Sequence, residues 1–235
     1  MAPFCALMIA KISNRILFPL DCARTGSLDI LQYMKEFKAS QFLSRKELDE
    51  LSFVRMKKIL EYSYQNVEFY KNSFDAYGFN PSNVHSPSDL QSLPVLEKHH
   101  IQDNLKQLIA NKTCTEDLVL DRTGGSTGTP IEYYYSTKRS RSRKAATWRH
   151  NGFVDWHIGD KTAILWGASR DIPKNKMKQR LRNLLIDRNM FFNTAGFRPR
   201  EIIEFNKQLK RFRPKVIQAY ANSIGLFAQY FREKG

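Results

Sequence analysis

Residues 123–130 read TGGSTGTP and stand between LVLD (118–121) and IEYYY (131–135). Both flanks read as β-strands. A hairpin turn needs about two to five residues and one or two glycines, so this loop carries more small and hydroxyl residues than a turn requires. Gly124, Gly125 and Gly128 would let backbone N–H groups close on an anion. Thr123, Ser126, Thr127 and Thr129 would add hydroxyls able to meet phosphate oxygens or a Mg2+ ion. The loop is not a Walker A sequence, which requires a lysine that TGGSTGTP lacks, and no G-x-G-x-x-G register fits. Residues 124–128 formally satisfy G-x-S-x-G, but a nucleophile elbow runs from strand into helix. Pro130 and the strand-like IEYYY follow here, which disfavours a serine hydrolase using His150 or His157 with Asp155 or Asp160. A loop without a ligand is the ordinary alternative.

Other chemistry-bearing residues give weaker patterns. His99 and His100 are adjacent, so on a helix they point about 100° apart and do not converge on a metal. His85 and His157 have no second ligand at useful spacing. Cys5, Cys22 and Cys114 are odd in number and never form C-x-x-C, which supports neither a disulfide framework nor a zinc knuckle and favours a reducing compartment. Trp148, Trp156 and Trp166 lie among apolar neighbours and read as packing residues rather than as a stacking platform for bases.

The net charge of +15 is unevenly placed: residues 138–215 hold 21 Lys or Arg against 6 Asp or Glu, while residues 1–137 hold 15 against 16. An anionic partner of that block is implied: nucleotide, coenzyme, nucleic acid or acidic membrane. The basic residues fall on amphipathic patterns whose buried faces are expected to hold Leu181, Leu184, Leu185 and Ile186. Solvated helix faces are thus the plain explanation, and no nucleic-acid motif is present.

These residues need elements to position them. An apolar fraction of 42% over 235 residues suffices for a core. PFCALMIA (3–10) has no preceding basic residue and is interrupted by Lys11 and Arg15, so it reads as a segment docking on the body rather than a signal peptide or membrane anchor. From 44 to about 77 the apolar spacing is helical, opened by Ser44 with Glu47 as a capping box and closed by Gly78 and Pro81. A helix is expected again over 96–110. Thereafter strands and helices alternate: LVLD, IEYYY, a helix near 138–151, TAILW, a helix near 174–186, MFFNT, a helix near 200–211, VIQAY, and a helix from about Asn222. This alternation predicts an α/β layer with mostly parallel strands behind a helical N-terminal segment. Two regions are expected, 1–110 and 111–235, and the pattern stops after a helix without a capping element.

TGGSTGTP resembles the phosphate-binding loop of the adenylate-forming, AMP-binding superfamily. SFVRMKKILEYSYQNVEFYKNSFDAYGFNP and SPSDLQSLPVLEKHHIQDN upstream are similar to the start of the phenylacetate-CoA ligase family, with its "vPyY" and "LPvltK" steps. Residues 159–167 and RPKVIQAYANSIGLFAQYFREKG resemble its capsular-polysaccharide-associated branch. The resemblance covers roughly residues 25–235 and has two departures: Glu68 replaces the family's proline, and Glu132 stands where many superfamily loops carry lysine.

The resemblance implies the partial N-terminal domain of an ATP-dependent carboxylate ligase, cytoplasmic, using Mg2+ and coenzyme A, with residues 123–129 holding the phosphates. It also implies that the adenine motif, the ribose-binding acid and the lid with its catalytic lysine have no counterpart in these residues. On that account the chain alone is expected to be inactive, and an apolar face left exposed is expected to favour self-association. A non-catalytic pseudo-ligase and a basic nucleic-acid-binding protein are the other readings.

Overall fold

The computed structural model describes residues 3–111, 113–123, 128–167, 177–194 and 198–234. The chain divides into two compact units, Tyr33–Lys144 and a discontinuous one made of Met1–Gln32 with Ala145–Gly235.

In the Tyr33–Lys144 unit, the Ser44 side chain accepts the Glu47 N–H while Glu47 accepts the Ser44 N–H, so the expected capping box opens helix α4, Arg45–Asn66. Val67 then breaks the helix with extended dihedrals, φ −120° and ψ 110°, before α5, Glu68–Ala76. Glu68 occupies the first helical position, which tolerates proline because its N–H has no helical partner and which favours an acid through the helix dipole. Gly78, φ +61°, ends the segment as expected. The inner face of α4 is not the whole apolar pattern: Phe53, Met56, Leu60 and Tyr64 pack on Phe74, Phe79 and Val84, whereas Val54 and Ile59 face outward.

The helix expected over 96–110 is shorter, α6 spanning Lys98–Asp103. The Asn104 amide donates to the His100 carbonyl at 2.9 Å and takes over the helix end, a competition typical of asparagine. Strands β1, Leu118–Arg122, and β2, Glu132–Ser136, pair antiparallel, with Arg122 opposite Glu132. Helix α7, Thr137–Asn151, follows β2 directly.

The discontinuous unit is built on a parallel sheet of order β4-β3-β5, with β3 at Thr162–Trp166, β4 at Asn189–Asn193 and β5 at Val216–Ala219. Its core is Ala163, Leu165 and Phe205, each 0% exposed, with Phe192, Leu209 and Phe227 packed against them. Helix α9, Pro199–Phe212, turns Ile202, Phe205 and Leu209 inward at three- and four-residue spacing, and α10, Ala221–Lys234, covers the same core.

The N-terminal segment docks as a helix: α1, Pro3–Ile12, continues through a π turn, Ser13–Leu17, into α2, Phe18–Arg24, and α3, Asp29–Ala39, follows in the chain. Phe18 meets Trp148 edge-on at 5.1 Å, the Ser13 hydroxyl donates to the Leu185 carbonyl at 2.5 Å, and Asp21 pairs with Arg182. Gly159, φ +91°, allows this docking, because a Cβ there would lie 2.6 Å from the Cβ of Ser13.

Helix α8, Met177–Arg182, runs into a π turn, Asn183–Asp187. Of the four apolar residues expected to be buried there, only Ile186 is; Leu181 is 57%, Leu184 70% and Leu185 42% exposed. The face that binds the N-terminal helix does so through the Leu185 carbonyl and the Arg182 side chain rather than through the leucines.

Candidate functional site

The hairpin fixes both ends of the glycine-rich loop at one point. Beyond the β1–β2 ladder, the Thr123 N–H donates to the Ile131 carbonyl at 3.0 Å, and the Ile131 N–H donates to the Thr123 hydroxyl at 2.9 Å. Thr123 is therefore a clamp at the base of the loop, its N–H and hydroxyl engaged within the hairpin. Gly124, Gly125, Ser126 and Thr127 lie outside the described residues. Gly128 and Thr129 are exposed, and Gly128 has φ +138°, a conformation that strains any other residue.

A cation approaches the same point. The space where a Gly128 Cβ would sit is 3.9 Å from the Nζ of Lys98. Lys98 opens α6, where the Glu97 side chain accepts a backbone N–H of the first turn and the Glu97 N–H donates to His100 Nδ1 at 3.0 Å. His100 is thus a capping residue, and His99, exposed, lies 3.3 Å from Glu97. Sequence reasoning noted Lys98 only as part of the resemblance; its closeness to the loop spans thirty positions of chain and no spacing rule reveals it.

Gln102, one turn beyond Lys98, lines a concavity of about 330 Å3 with Leu105, Arg122, Thr129, Pro130 and Glu132. Arg122 is bound to Glu132 at 2.5 Å. Glu132 therefore neutralises the neighbouring arginine, and Lys98 makes no ion pair among the described residues.

Several residues of the basic block have partners within the fold. Arg139 stacks over Tyr133 and Tyr135 at 5.8 and 5.4 Å, and Arg149 over Phe153 at 5.5 Å. Arg182 binds Asp21 and Asp187, and the Lys161 ammonium donates to the Phe212 carbonyl at 2.9 Å. Lys215 joins Asp155 and Asp160 at 3.0 and 3.1 Å. Burial pulls the Lys215 ammonium down, yet its hydrogen bonds to the two carboxylates more than offset this and raise its pKa. The hydrogen bond from Lys215 holds Asp155 below the usual carboxylate range.

In the discontinuous unit a second polar cluster sits at the carboxyl ends of the parallel strands, where ligands of open α/β sheets bind. Trp166 stacks on Tyr220 with ring centres 4.2 Å apart, the Thr194 N–H donates to the Trp166 carbonyl at 3.0 Å, and the Ser223 hydroxyl meets that of Thr194 at 3.1 Å. Of these residues sequence reasoning singled out Trp166 alone, as packing; the strand ends themselves were the available signal.

No protein-family model matches the chain. Curated relatives do: the chain is 30% identical over 90 residues to the phenylacetate-coenzyme A ligase of Escherichia coli (strain K12) and 30% over 124 residues to that of Aromatoleum evansii. These stretches are 38% and 53% of this chain but 21% and 28% of the two enzymes. In fold, it resembles the crystal structure of an open conformation of 2-hydroxyisobutyryl-CoA ligase in complex with 2-HIB-AMP and CoA, with a TM-score of 0.59 at 16% identity. That match covers 82% of this chain and 42% of the ligase. The same ligase in its thioesterification state gives 0.56 at 18% identity, covering 81% and 41%. The fold is thus that of part of a CoA ligase, and sequence and fold likeness together support the adenylate-forming ligase family.

Proposed function

We propose that this chain is the phosphate-gripping N-terminal portion of a CoA-ligase-like adenylate-forming enzyme, with residues 123–129 and Lys98 as the site for the nucleotide's phosphates. The observation that carries the reading is the clamped loop with the Lys98 ammonium at its Gly128 side. A polyphosphate entering a loop that has no basic residue of its own needs a cation from elsewhere. Lys98 supplies it, because Arg122 is already held by Glu132. Thr129 lines the concavity beside them, and Mg2+ would arrive as the counter-ion of the phosphates, sharing their charge.

In the whole enzyme a carboxylate oxygen attacks the α-phosphorus of ATP, pyrophosphate leaves, and a thiol then displaces AMP from the acyl adenylate. Here the loop and Lys98 hold the departing β- and γ-phosphates. Coenzyme A as the thiol, the capsular-polysaccharide connection and a cytoplasmic setting complete the reading by resemblance. Because the ligase fold is matched over 42% of its length, the reading assigns phosphate binding, rather than turnover, to these 235 residues.

Equilibrium binding of ATP and of pyrophosphate to the chain tests this. Saturable binding of both, weakened by Thr129→Ala, is expected; no binding at millimolar ligand, or carboxylate-dependent pyrophosphate release by the chain alone, would overturn it.

A further inference from the structure

The outward face of the N-terminal helix carries an apolar row that the fold does not bury. Met8 is 52%, Ile12 40%, Ile16 53% and Leu20 62% exposed, while Ala10, Ser13, Phe18 and Cys22 are turned inward. An i, i+4 row drifts by about 40° per step around a 3.6-residue helix. The Ser13–Leu17 π turn, which holds an extra residue, offsets part of that drift and keeps the row on one side.

Charge is arranged around the row with one sign. Lys11 and Arg15, both exposed, directly precede Ile12 and Ile16. Among residues 1–28 the one acid is Asp21, which is 8% exposed and paired with Arg24 and Arg182. The neighbouring helix α8 with its π turn, joined to this one through Ser13 and Asp21, repeats the pattern. It exposes Met177 at 79%, Leu181 and Leu184, with Lys178 beside them, and its one acid, Asp187, is bound to Arg182.

A protein partner would be expected to meet apolar residues with lysine depleted from the contact. An apolar row bordered by Lys and Arg and free of exposed carboxylates instead matches a helix lying in the headgroup region of an anionic bilayer. Apolar side chains then reach the acyl boundary, lysine and arginine meet lipid phosphates, and the chain's net charge of +15 adds attraction at longer range. No described helix is long and apolar enough to cross a membrane.

We propose that the outward faces of the N-terminal helix and of α8 dock this protein on the surface of an anionic lipid bilayer. The inference stands apart from the nucleotide reading, and neither needs the other.

Co-sedimentation of the full chain with vesicles tests it, using phosphatidylcholine alone and phosphatidylcholine mixed with phosphatidylglycerol. The wild type should sediment with the anionic vesicles and much less with the neutral ones. Ile16→Glu with Leu20→Glu should lower the partition coefficient about tenfold or more, as should Lys11→Glu with Arg15→Glu, with circular dichroism unchanged because all four side chains point outward. Lys207→Glu with Lys210→Glu on α9 should stay within about twofold. The proposal fails if the wild type remains in the supernatant, or if the α9 pair loses as much as the N-terminal pairs. It fails equally if Ile16→Glu with Leu20→Glu instead dissolves a dimer while vesicle binding stays unaltered.

Discussion

At the base of the hairpin, Thr123 and Ile131 are joined by two hydrogen bonds and Arg122 by an ion pair to Glu132, all on exposed or half-buried residues. In the parallel sheet, Trp166, Thr194 and Tyr220 stand at the rim of a core whose central residues, Ala163, Leu165 and Phe205, are 0% exposed. The polar hairpin fixes geometry with little buried area, so its substitutions should change binding more than stability. The sheet edge is held by packing, so changes beneath it should act on stability first.

Tryptophan fluorescence separates the two, since Trp148, Trp156 and Trp166 all belong to the discontinuous unit. Phe205→Ala should destabilise that unit by about 3–5 kcal/mol, seen as a lower urea midpoint of the tryptophan transition. Phe74→Ala, in the other unit's core, should leave that transition in place while lowering the far-ultraviolet one; coincident shifts would break the comparison.

Lys98→Ala should weaken ATP binding by about 10- to 100-fold, the range for losing a charged hydrogen bond, with the tryptophan midpoint unmoved. Retention by Lys98→Arg would show that charge, more than shape, is needed. Gly128→Ala places a side chain at φ +138°, a strain of about 1–3 kcal/mol, expected to appear as lost ATP affinity.

The ion cluster around Lys215 gives a pH test on the sheet side. Asp155 has a lowered pKa, so its contribution is present above the ordinary carboxylate value and disappears as pH falls through the lowered one. Lys215 has a raised pKa, so its contribution is present below the ordinary lysine value and disappears as pH rises through the raised one. Urea midpoints of Lys215→Met should therefore depend less on pH at both ends than those of wild type. The smallest change is expected for Glu132→Gln: removing an exposed ion pair should cost less than about 1 kcal/mol and, by freeing Arg122, strengthen ATP binding several-fold in an isothermal titration.

Much of the fold was legible because local rules and tertiary packing agree. The Ser44–Glu47 box, the Gly78 cap and the strand segments of the parallel sheet each stand where capping chemistry and apolar runs put them. Legibility failed where a particular side-chain or packing contact, near in sequence or far, decided the outcome. Asn104 stopped α6 by a side-chain bond, and Leu181, Leu184 and Leu185 were given a buried face that the N-terminal helix does not ask for. Within the candidate site, composition pointed to the loop, whereas Lys98 beside Gly128 and the Arg122–Glu132 pair depend on how α6 meets the hairpin.

Gly159 has a bearing on how the chain is made. The inner side of the N-terminal helix finds its partners at Gly159, Arg182 and Leu185, and Asp21 and Arg182 are 161 residues apart. At synthesis rates of about 5–20 residues per second, Phe18 and Cys22 wait on the order of 10–30 s after leaving the ribosome before that seat exists. During this interval the helix is apolar on both sides, one face awaiting the later chain and the other exposed in the folded unit as well. A side chain at 159 would crowd that seat, its Cβ 2.6 Å from the Cβ of Ser13 and 2.9 Å from the Ala10 carbonyl oxygen, so Gly159→Ala is a change whose first visible effect should be chaperone retention and aggregation during expression.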